Sequence, residues 1–407
     1  MTFPPLPHQA PRSLAVSRLA EAQGFDMLGI APAQASEHQA FMKDWLAAGK
    51  HGEMDYLAQN IQKRLDPQAL VPNAKAIICV ADRYPTQQAS ASDNAPSIAP
   101  SIAASIAKGK VARYAWKKDY HRDMKKRLHH LIDALQAQYP EHSFKATVDT
   151  APVLEREHAQ RAGLGWVGKH TLLLHPQMGS FFLLGEIITT LPLQTSAEAG
   201  AKLMTNHCGA CTRCVDACPT QCITPYSVDA TRCISYLTLE HRTAIDPQLH
   251  EQMGDWIAGC DVCQEVCPFN QDPTPTAPTI ALPQPSVGSE SDDAAGTPSH
   301  QTNRGRSNRV KAKNSAPTFQ PRTSFDLLEV MNWSPQARQD ALIGSALKRI
   351  KLEQFKRNAI IAAGNLLRDE PDHAQAADLR KKIAAFASDG QQEELIRTTA
   401  QAVLGRL

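Results

Sequence analysis

Between Pro11 and Leu193 the spacing of apolar positions changes from segment to segment. "SLAVSRLAEAQ" and "MKKRLHHLIDALQAQY" carry them on one face of a helical period, whereas "GFDMLGIA" and "AKAIICVAD" are short continuous apolar runs that predict buried strands. The alternation predicts an α/β domain over residues 1–200. It is interrupted at 87–108 by uncharged Ser-Ile-Ala repeats, which read as an inserted, flexible loop. The Pro-, Ser- and Thr-rich tract 273–320 has too little apolar surface to offset its ordering entropy and reads as a disordered linker. Over 321–407, "SPQARQDALIGSALKRI", "EQFKRNAIIAAGNLL", "AQAADLRKKIAAFA" and "EELIRTTAQAVL" predict four short helices in antiparallel pairs, a HEAT-like repeat tail.

Composition changes this picture little. The 407 residues are 42% hydrophobic and 6% aromatic, and the formal net charge of +2 neither demands nor excludes a polyanionic partner. The first residues, "MTFPPLPHQAPRSLAVSRLAEAQGF", hold no continuous apolar stretch, and the run "SFFLLGEIITTL" is interrupted by Glu186. A cytoplasmic protein with no membrane contact is expected.

Cysteine use is far more informative. Nine of the ten cysteines fall between Cys208 and Cys267, clustered at metal-ligand spacing, so 201–272 reads as a separate ferredoxin-like domain. The first run is C-x2-C-x2-C-x3-C-P, and in two-cluster ferredoxins the fourth cysteine of such a run ligates the other cluster. The second run, Cys260, Cys263 and Cys267-Pro268, is one cysteine short, and Cys233 can supply the missing ligand. The expected assignment is Cys208, Cys211, Cys214 and Cys267 on one 4Fe-4S cluster, and Cys218, Cys233, Cys260 and Cys263 on the other. Cys222 and Cys79 stay outside it. Paired zinc sites also favour Cys-x2-Cys, but they need neither the third cysteine at the same spacing nor the Cys-Pro ends.

Two other motifs are near misses. "AGLGWVGKH" contains a formal G-x-G-x-x-G and most of a phosphate-binding loop, but a charged helix pattern precedes it and an apolar strand pattern follows. Its glycines read instead as allowing close approach to a bulky ligand. "DYHRDM" approaches the Asp-x-His-x-x-Gly loop that presents histidine to cobalt, but has Met124 at the glycine position.

Taken in order, "VDTAPVLERE", "AGLGWVGKHTLLLHPQMGSFFLLGEI", "HCGACTRCVDACPT" and "CDVCQEVCPFN" closely resemble the epoxyqueuosine reductases, cobalamin-dependent iron-sulfur enzymes of tRNA modification. The likeness runs from about Ser13 to Asn270 and resumes in "LKRIKLEQFKRNAIIAAGN". It implies an α+β multidomain protein related to reductive dehalogenases, with an N-terminal α/β cobalamin-binding domain of nitroreductase-like fold. The implied activity is the final step of queuosine biosynthesis, reduction of epoxyqueuosine to queuosine at the wobble position of tRNA. Partners would be that tRNA and an external electron donor, with the enzyme a monomer. By position, the resemblance makes Asp149 the proton donor, with burial expected to raise its pKa; the alternative is a helix N-cap. It places Arg64, Arg113, Asp149, Lys169, Thr171 and Ser180 against cobalamin and Arg156 against tRNA. The Ser-Ile-Ala insertion, the long linker and Cys222, where a small residue is expected, depart from the family pattern.

Basic runs add a footprint for tRNA. "KGKVARYAWKKDYHRDMKKR" interleaves nine basic residues with Tyr114, Trp116 and Tyr120, and "LKRIKLEQFKR" adds Lys348, Arg349 and Arg357 among others. A dehalogenase-like corrinoid reductase has no use for these runs, and a ferredoxin-type electron carrier needs neither an acid nor a large α/β domain.

Overall fold

The computed structural model describes residues 10–84, 106–271, 319 and 321–407. Most of the predicted insertion and nearly all of the predicted linker lie outside the described residues. In chain order, the elements that matter are α1 (Pro11–Ala22), β1 (Met27–Pro32), β2 (Ala76–Arg83), β3 (Lys108–Val111), α2 (Tyr120–Gln138), β4 (Phe144–Val148), α3 (Glu155–Arg161) and β5 (Phe182–Thr189). They are followed by β6 (Trp256–Ala258), β7 (Ser324–Asp326), α4 (Leu352–Asp369), α5 (Ala376–Ser388) and α6 (Glu394–Leu404). The predicted insertion therefore ends short of Lys108, where β3 begins.

The N-terminal sheet runs β1-β2-β5-β4 with every neighbouring pair antiparallel, so the predicted alternation of helix and strand is realised without a parallel sheet. The run "AIICV" is continuously apolar because both faces of β2 are covered. Ala76, Ile78 and Val80 pack with Val16 and Ala20 of α1 and Met124, Leu128, Leu131 and Leu135 of α2. Ile77, Cys79 and Ala81 pack on the other face with Ala159 and Ala162. Cys79 is fully buried, as a small apolar side chain would be. Glu186, the polar interruption of the fifth strand, pairs with His158 Nδ1 at 3.1 Å inside the protein. Burial opposes protonation of His158, but the Glu186 carboxylate outweighs it and raises the imidazole pKa.

A second sheet is stitched from three distant segments in the order β6-β3-β7, with β6 parallel and β7 antiparallel to β3. Its residues share one core with the C-terminal helices: Val111, Ile257, Phe325, Phe355, Ile360, Leu379 and Val403 belong to a single buried cluster. The C-terminal helices are therefore packed into the cysteine region instead of standing apart from it. The first of the four predicted tail helices is broken. Pro335–Ala341 is helical and Ala346–Arg349 forms a 3-10 turn. Gly344 lies between them at φ +69°, a left-handed conformation that ends the helix. Its carbonyl accepts the Asp119 backbone N–H at 2.7 Å, which ties the tail to the start of α2.

Among the described residues no helix is long and apolar enough to cross a membrane.

Candidate active site between Asp149 and the second thiol set

Asp149 follows the last residue of β4 and precedes α3, so the sheet edge positions it. Helix α3 begins at Glu155 with Leu154 as its N-cap, and both Asp149 carboxylate oxygens are engaged elsewhere. His121 Nε2 lies 2.7 Å from one oxygen, and the Tyr120 hydroxyl donates to the other. His121 Nδ1 is 2.6 Å from Asp119, which also caps α2 by accepting the His121 backbone N–H. The imidazole thus sits between two carboxylates. Burial opposes its protonation, but hydrogen bonds and charges from Asp149 and Asp119 outweigh burial and raise its pKa.

The same contacts correct the expectation for Asp149. Burial pushes its carboxyl up, but hydrogen bonds from His121 and Tyr120, with the charges of His121 and Arg349, hold it below the usual carboxylate range. Between the two groups, these opposite shifts favour the proton on His121 over Asp149. A second acid stands close by: burial, reinforced by the charges of Glu186 and Asp149, raises Glu155 to about 8. Glu155, Arg156 and Asp149 line a cavity of about 140 Å³.

Asp149 also lines a larger cavity, of about 430 Å³, with Tyr120, His121, Thr171 and Ser180. Cys218, Cys233, Cys260 and Cys263 line the same cavity, and Cys208, Cys211, Cys214 and Cys267 do not. Burial raises the Cys267 thiol, and the thiol charges that add to it are those of Cys208, Cys214 and Cys211. Cys260, likewise raised by burial, feels Cys233 and Cys218. Cys222 lines that cavity as well, so the lining sets Cys218, Cys222, Cys233, Cys260 and Cys263 apart from the other four cysteines of the two runs. Cys263, raised by burial, feels Cys214 as well as Cys260 and Cys233, so the sets lie within electrostatic reach of each other.

The donor chemistry suits iron-sulfur cubanes. A cubane takes its four thiolates at separate corners. A bulky polar cofactor also finds a waiting donor in the larger cavity. His170 is 3% exposed and lines it, and burial, aided by the Arg156 charge, lowers its pKa to about 4. Its Nδ1 accepts the Leu172 N–H at 3.1 Å, so the hydrogen is on Nε2, which has no partner. Buried donors left unpaired are costly, so an acceptor on a bound group fits there. Thr171 beside it is held at φ +68°, a strained conformation for a branched residue.

The other expected cofactor contacts are scattered. Ser180 reaches the cavity wall, but its hydroxyl is spent on docking the cysteine region: it donates to Gln264 at 2.9 Å and accepts from Asn270 at 2.9 Å. Arg113 pairs with Glu265 at 2.7 Å and lies near Asp261, bracing the same region from outside the cavity lining. Lys169 Nζ donates to the carbonyls of Gly209 and Cys211 at 2.7 and 2.9 Å, fastening the first cysteine loop. Arg64 is buried behind the site with a long contact to the Val153 carbonyl. Gly165 and Gly168 lie against the chain's own Leu173–Leu174 strand and His170, not a ligand: a Cβ on Gly165 would meet the Leu174 carbonyl at 2.2 Å. That strand, where a phosphate loop needs a helix, removes the nucleotide reading.

Of the expected tRNA contacts, Arg156 opens on the smaller cavity and donates to the Thr171 carbonyl. Lys348 is exposed, and Arg349 lines the larger cavity and pairs with Glu240. Arg357 must be withdrawn. It is fully buried, and its guanidinium donates to the carbonyls of His241, Thr243 and Leu237 at 2.7, 2.7 and 2.5 Å. A side chain spent on buried carbonyls has no donor left for a phosphate. Sequence reading missed His121, Asp119 and His170 as site residues, and took Tyr120 for a tRNA-footprint aromatic where it holds Asp149. "DYH" did draw notice, though as a failed cobalt loop and not as a carboxylate-histidine pair.

Comparison with known proteins shows which family the chain resembles. Residues 64–150 match the family model "Epoxyqueuosine reductase QueG, DUF1730", and residues 207–270 match "4Fe-4S double cluster binding domain". An epoxyqueuosine reductase of Pseudomonas aeruginosa is 37% identical over 84% of this chain and 82% of its own length. That of Escherichia coli K12 is 35% identical over 85% and 79%. A solved epoxyqueuosine reductase bound to a tRNA-Tyr epoxyqueuosine-modified stem loop superposes with a TM-score of 0.71 at 24% identity, over 97% of this chain and 89% of that one. The Streptococcus thermophilus enzyme gives 0.68 at 22% identity, over 97% and 98%.

Proposed function

The chain belongs to the epoxyqueuosine reductase family, and we propose that it reduces epoxyqueuosine in tRNA to queuosine within the cavity shared by Asp149 and the second thiol set. That shared lining is the observation that carries the reading, because it joins a proton source to an electron source. Removing the epoxide oxygen as water consumes two electrons and two protons. When bound, the two 4Fe-4S clusters supply electrons singly and cobalamin supplies a centre at which two can act on one carbon.

The chain's own residues handle protons, position and docking. Asp149 passes to the departing oxygen a proton drawn from His121, and Tyr120 holds the carboxylate in place. Asp119, on the other side of the ring, favours the protonated imidazole by its hydrogen bond and charge, and the proton itself is replaced from solvent. Glu155, protonated at neutral pH, is the nearby source of the second proton. Cys208, Cys211, Cys214 and Cys267 hold the entry cluster, and Cys218, Cys233, Cys260 and Cys263 hold the cavity cluster. His170 and Thr171 would hold polar groups of cobalamin, and Ser180, Arg113 and Lys169 keep the cysteine region docked.

The tRNA footprint joins the two basic runs. Lys117, Lys118 and Arg122 are exposed next to Asp119, and the Asp119–Gly344 hydrogen bond brings them beside Lys348 and Arg349. We read α4 to α6 as a HEAT-like support for this rim, and the protein as a cytoplasmic monomer served by an external donor. The experiment is single-turnover reduction of epoxyqueuosine-bearing tRNA by anaerobically reconstituted, pre-reduced protein. Stoichiometric queuosine is expected. Retained cobalamin with no conversion of that tRNA overturns the reading.

A further inference from the structure

Cys222 was left over when eight cysteines were assigned to two clusters, yet the structure puts it against the second set. A turn closed by the Gln221 N–H on the Cys218 carbonyl at 3.0 Å, with Gln221 at φ +51°, folds the chain back on itself. It brings Cys222 Sγ to 3.5 Å from Cys218 Sγ. Cys222 is buried in a small apolar cluster with Cys218 and Ile223, against which Cys233 and Cys263 also pack. The Thr220 hydroxyl, itself buried, lies 3.6 Å from the same Cys218 sulfur.

A cubane offers four iron corners, and Cys218, Cys233, Cys260 and Cys263 fill them, so a fifth thiol has no iron to bind. What it has is an S–H beside a ligand sulfur. We propose that Cys222 is a hydrogen-bond donor to the Cys218 thiolate that raises the reduction potential of the cavity cluster. Reduction adds negative charge, and burial away from water penalises that charge. A donor at a ligand sulfur offsets the penalty by favouring the reduced, more negative state. Cys211 of the first set is exposed, so water gives that cluster the same help without a dedicated donor. Without Cys222, the electron would rest on the outer cluster, away from the cavity. The donor restores a downhill step inward.

The proposal rests on the eight-cysteine reading of the clusters, and the test separates the two. Cys222→Ala, Cys222→Val and Cys222→Ser are made in the full-length reconstituted protein. Iron and sulfide content are measured, and both clusters are titrated by electron paramagnetic resonance. The signal lost in Cys218→Ser identifies the cavity cluster. Iron is expected at the parental level in all three variants. The cavity-cluster midpoint should move to more negative potential in Cys222→Ala and Cys222→Val, stay near the parental value in Cys222→Ser, whose hydroxyl still donates, and leave the outer cluster unmoved. Iron falling by half in Cys222→Ala makes Cys222 a ligand and overturns the eight-cysteine reading. Full iron with coincident Ala and parental midpoints overturns the donor role alone. An equal shift in Ser and Ala also overturns it, because a change of volume would then explain the effect.

Discussion

The first thiol set has Cys211 exposed and Cys208 half-buried, and it lines no part of the large cavity. The second set lines that cavity together with Asp149, and the buried Thr220 hydroxyl and Cys222 thiol stand beside its Cys218. Each run lends one cysteine to the other's set, and Cys233, which lies between the runs, completes the second. Under the proposed function the difference divides the labour: a cluster that meets an electron donor needs surface, and one that meets a substrate needs a wall and a proton source.

The strongest way to break this comparison is Cys218→Ser. Although Cys218 belongs to the first run, its loss should remove the cavity cluster and abolish turnover, leaving one cluster in the electron paramagnetic spectrum. Loss of the Cys208 cluster instead would undo the crossing. Next in size is Asp149→Asn, nearly isosteric and unable to relay a proton from His121. Single-turnover reduction should fall by roughly 10²–10⁴-fold while iron content and tRNA affinity hold. A variant that keeps the parental rate would leave the cavity with electrons and no assigned acid.

Asp119→Asn sharpens the proton side. The parental rate should decline as pH rises through the elevated His121 pKa, since the loaded form is the imidazolium. Asn retains the helix cap but removes one of the two charges that raise that pKa, so the declining limb moves to lower pH. A displacement of about one unit gives roughly a tenfold loss on the alkaline side and little change below it. An unmoved pH profile would detach Asp119 from the relay. The smallest effect is expected at the rim. Reversing the charges of Lys348 and Arg349 should weaken tRNA binding and reduce the salt slope by roughly two units, with both clusters intact. Unchanged affinity would take the tail out of the footprint.

How much of this was legible follows from how local each signal is. The double-cluster domain was readable because a cubane dictates spacing along the chain. Asp149 was marked by its surrounding motif, but its protonation was misjudged, because the residues that set it lie 28 and 29 positions away on α2. Arg357 stood in a basic run and looked like a phosphate contact. Only the fold reveals that the carbonyls of a distant loop claim its donors. Cys222 read as surplus because its partner is a ligand sulfur, and hydrogen bonds to ligands leave no spacing rule. The strands of the N-terminal sheet were readable from apolar runs, while their antiparallel order was not, because pairing partners carry no local mark.

The sheet β6-β3-β7 has a consequence for biosynthesis. Its central strand leaves the ribosome early, but its partners are residues 256–258 and 324–326, so long loops must close before either can pair. Until Ser324–Asp326 docks, one edge of Lys108–Val111 offers unpaired backbone groups to any passing strand. The C-terminal segment is thus the clasp of the molecule. It closes after both cysteine runs have been synthesised, which leaves an interval in which metal can reach the thiols before the rim at Ala346–Arg349 is set over them.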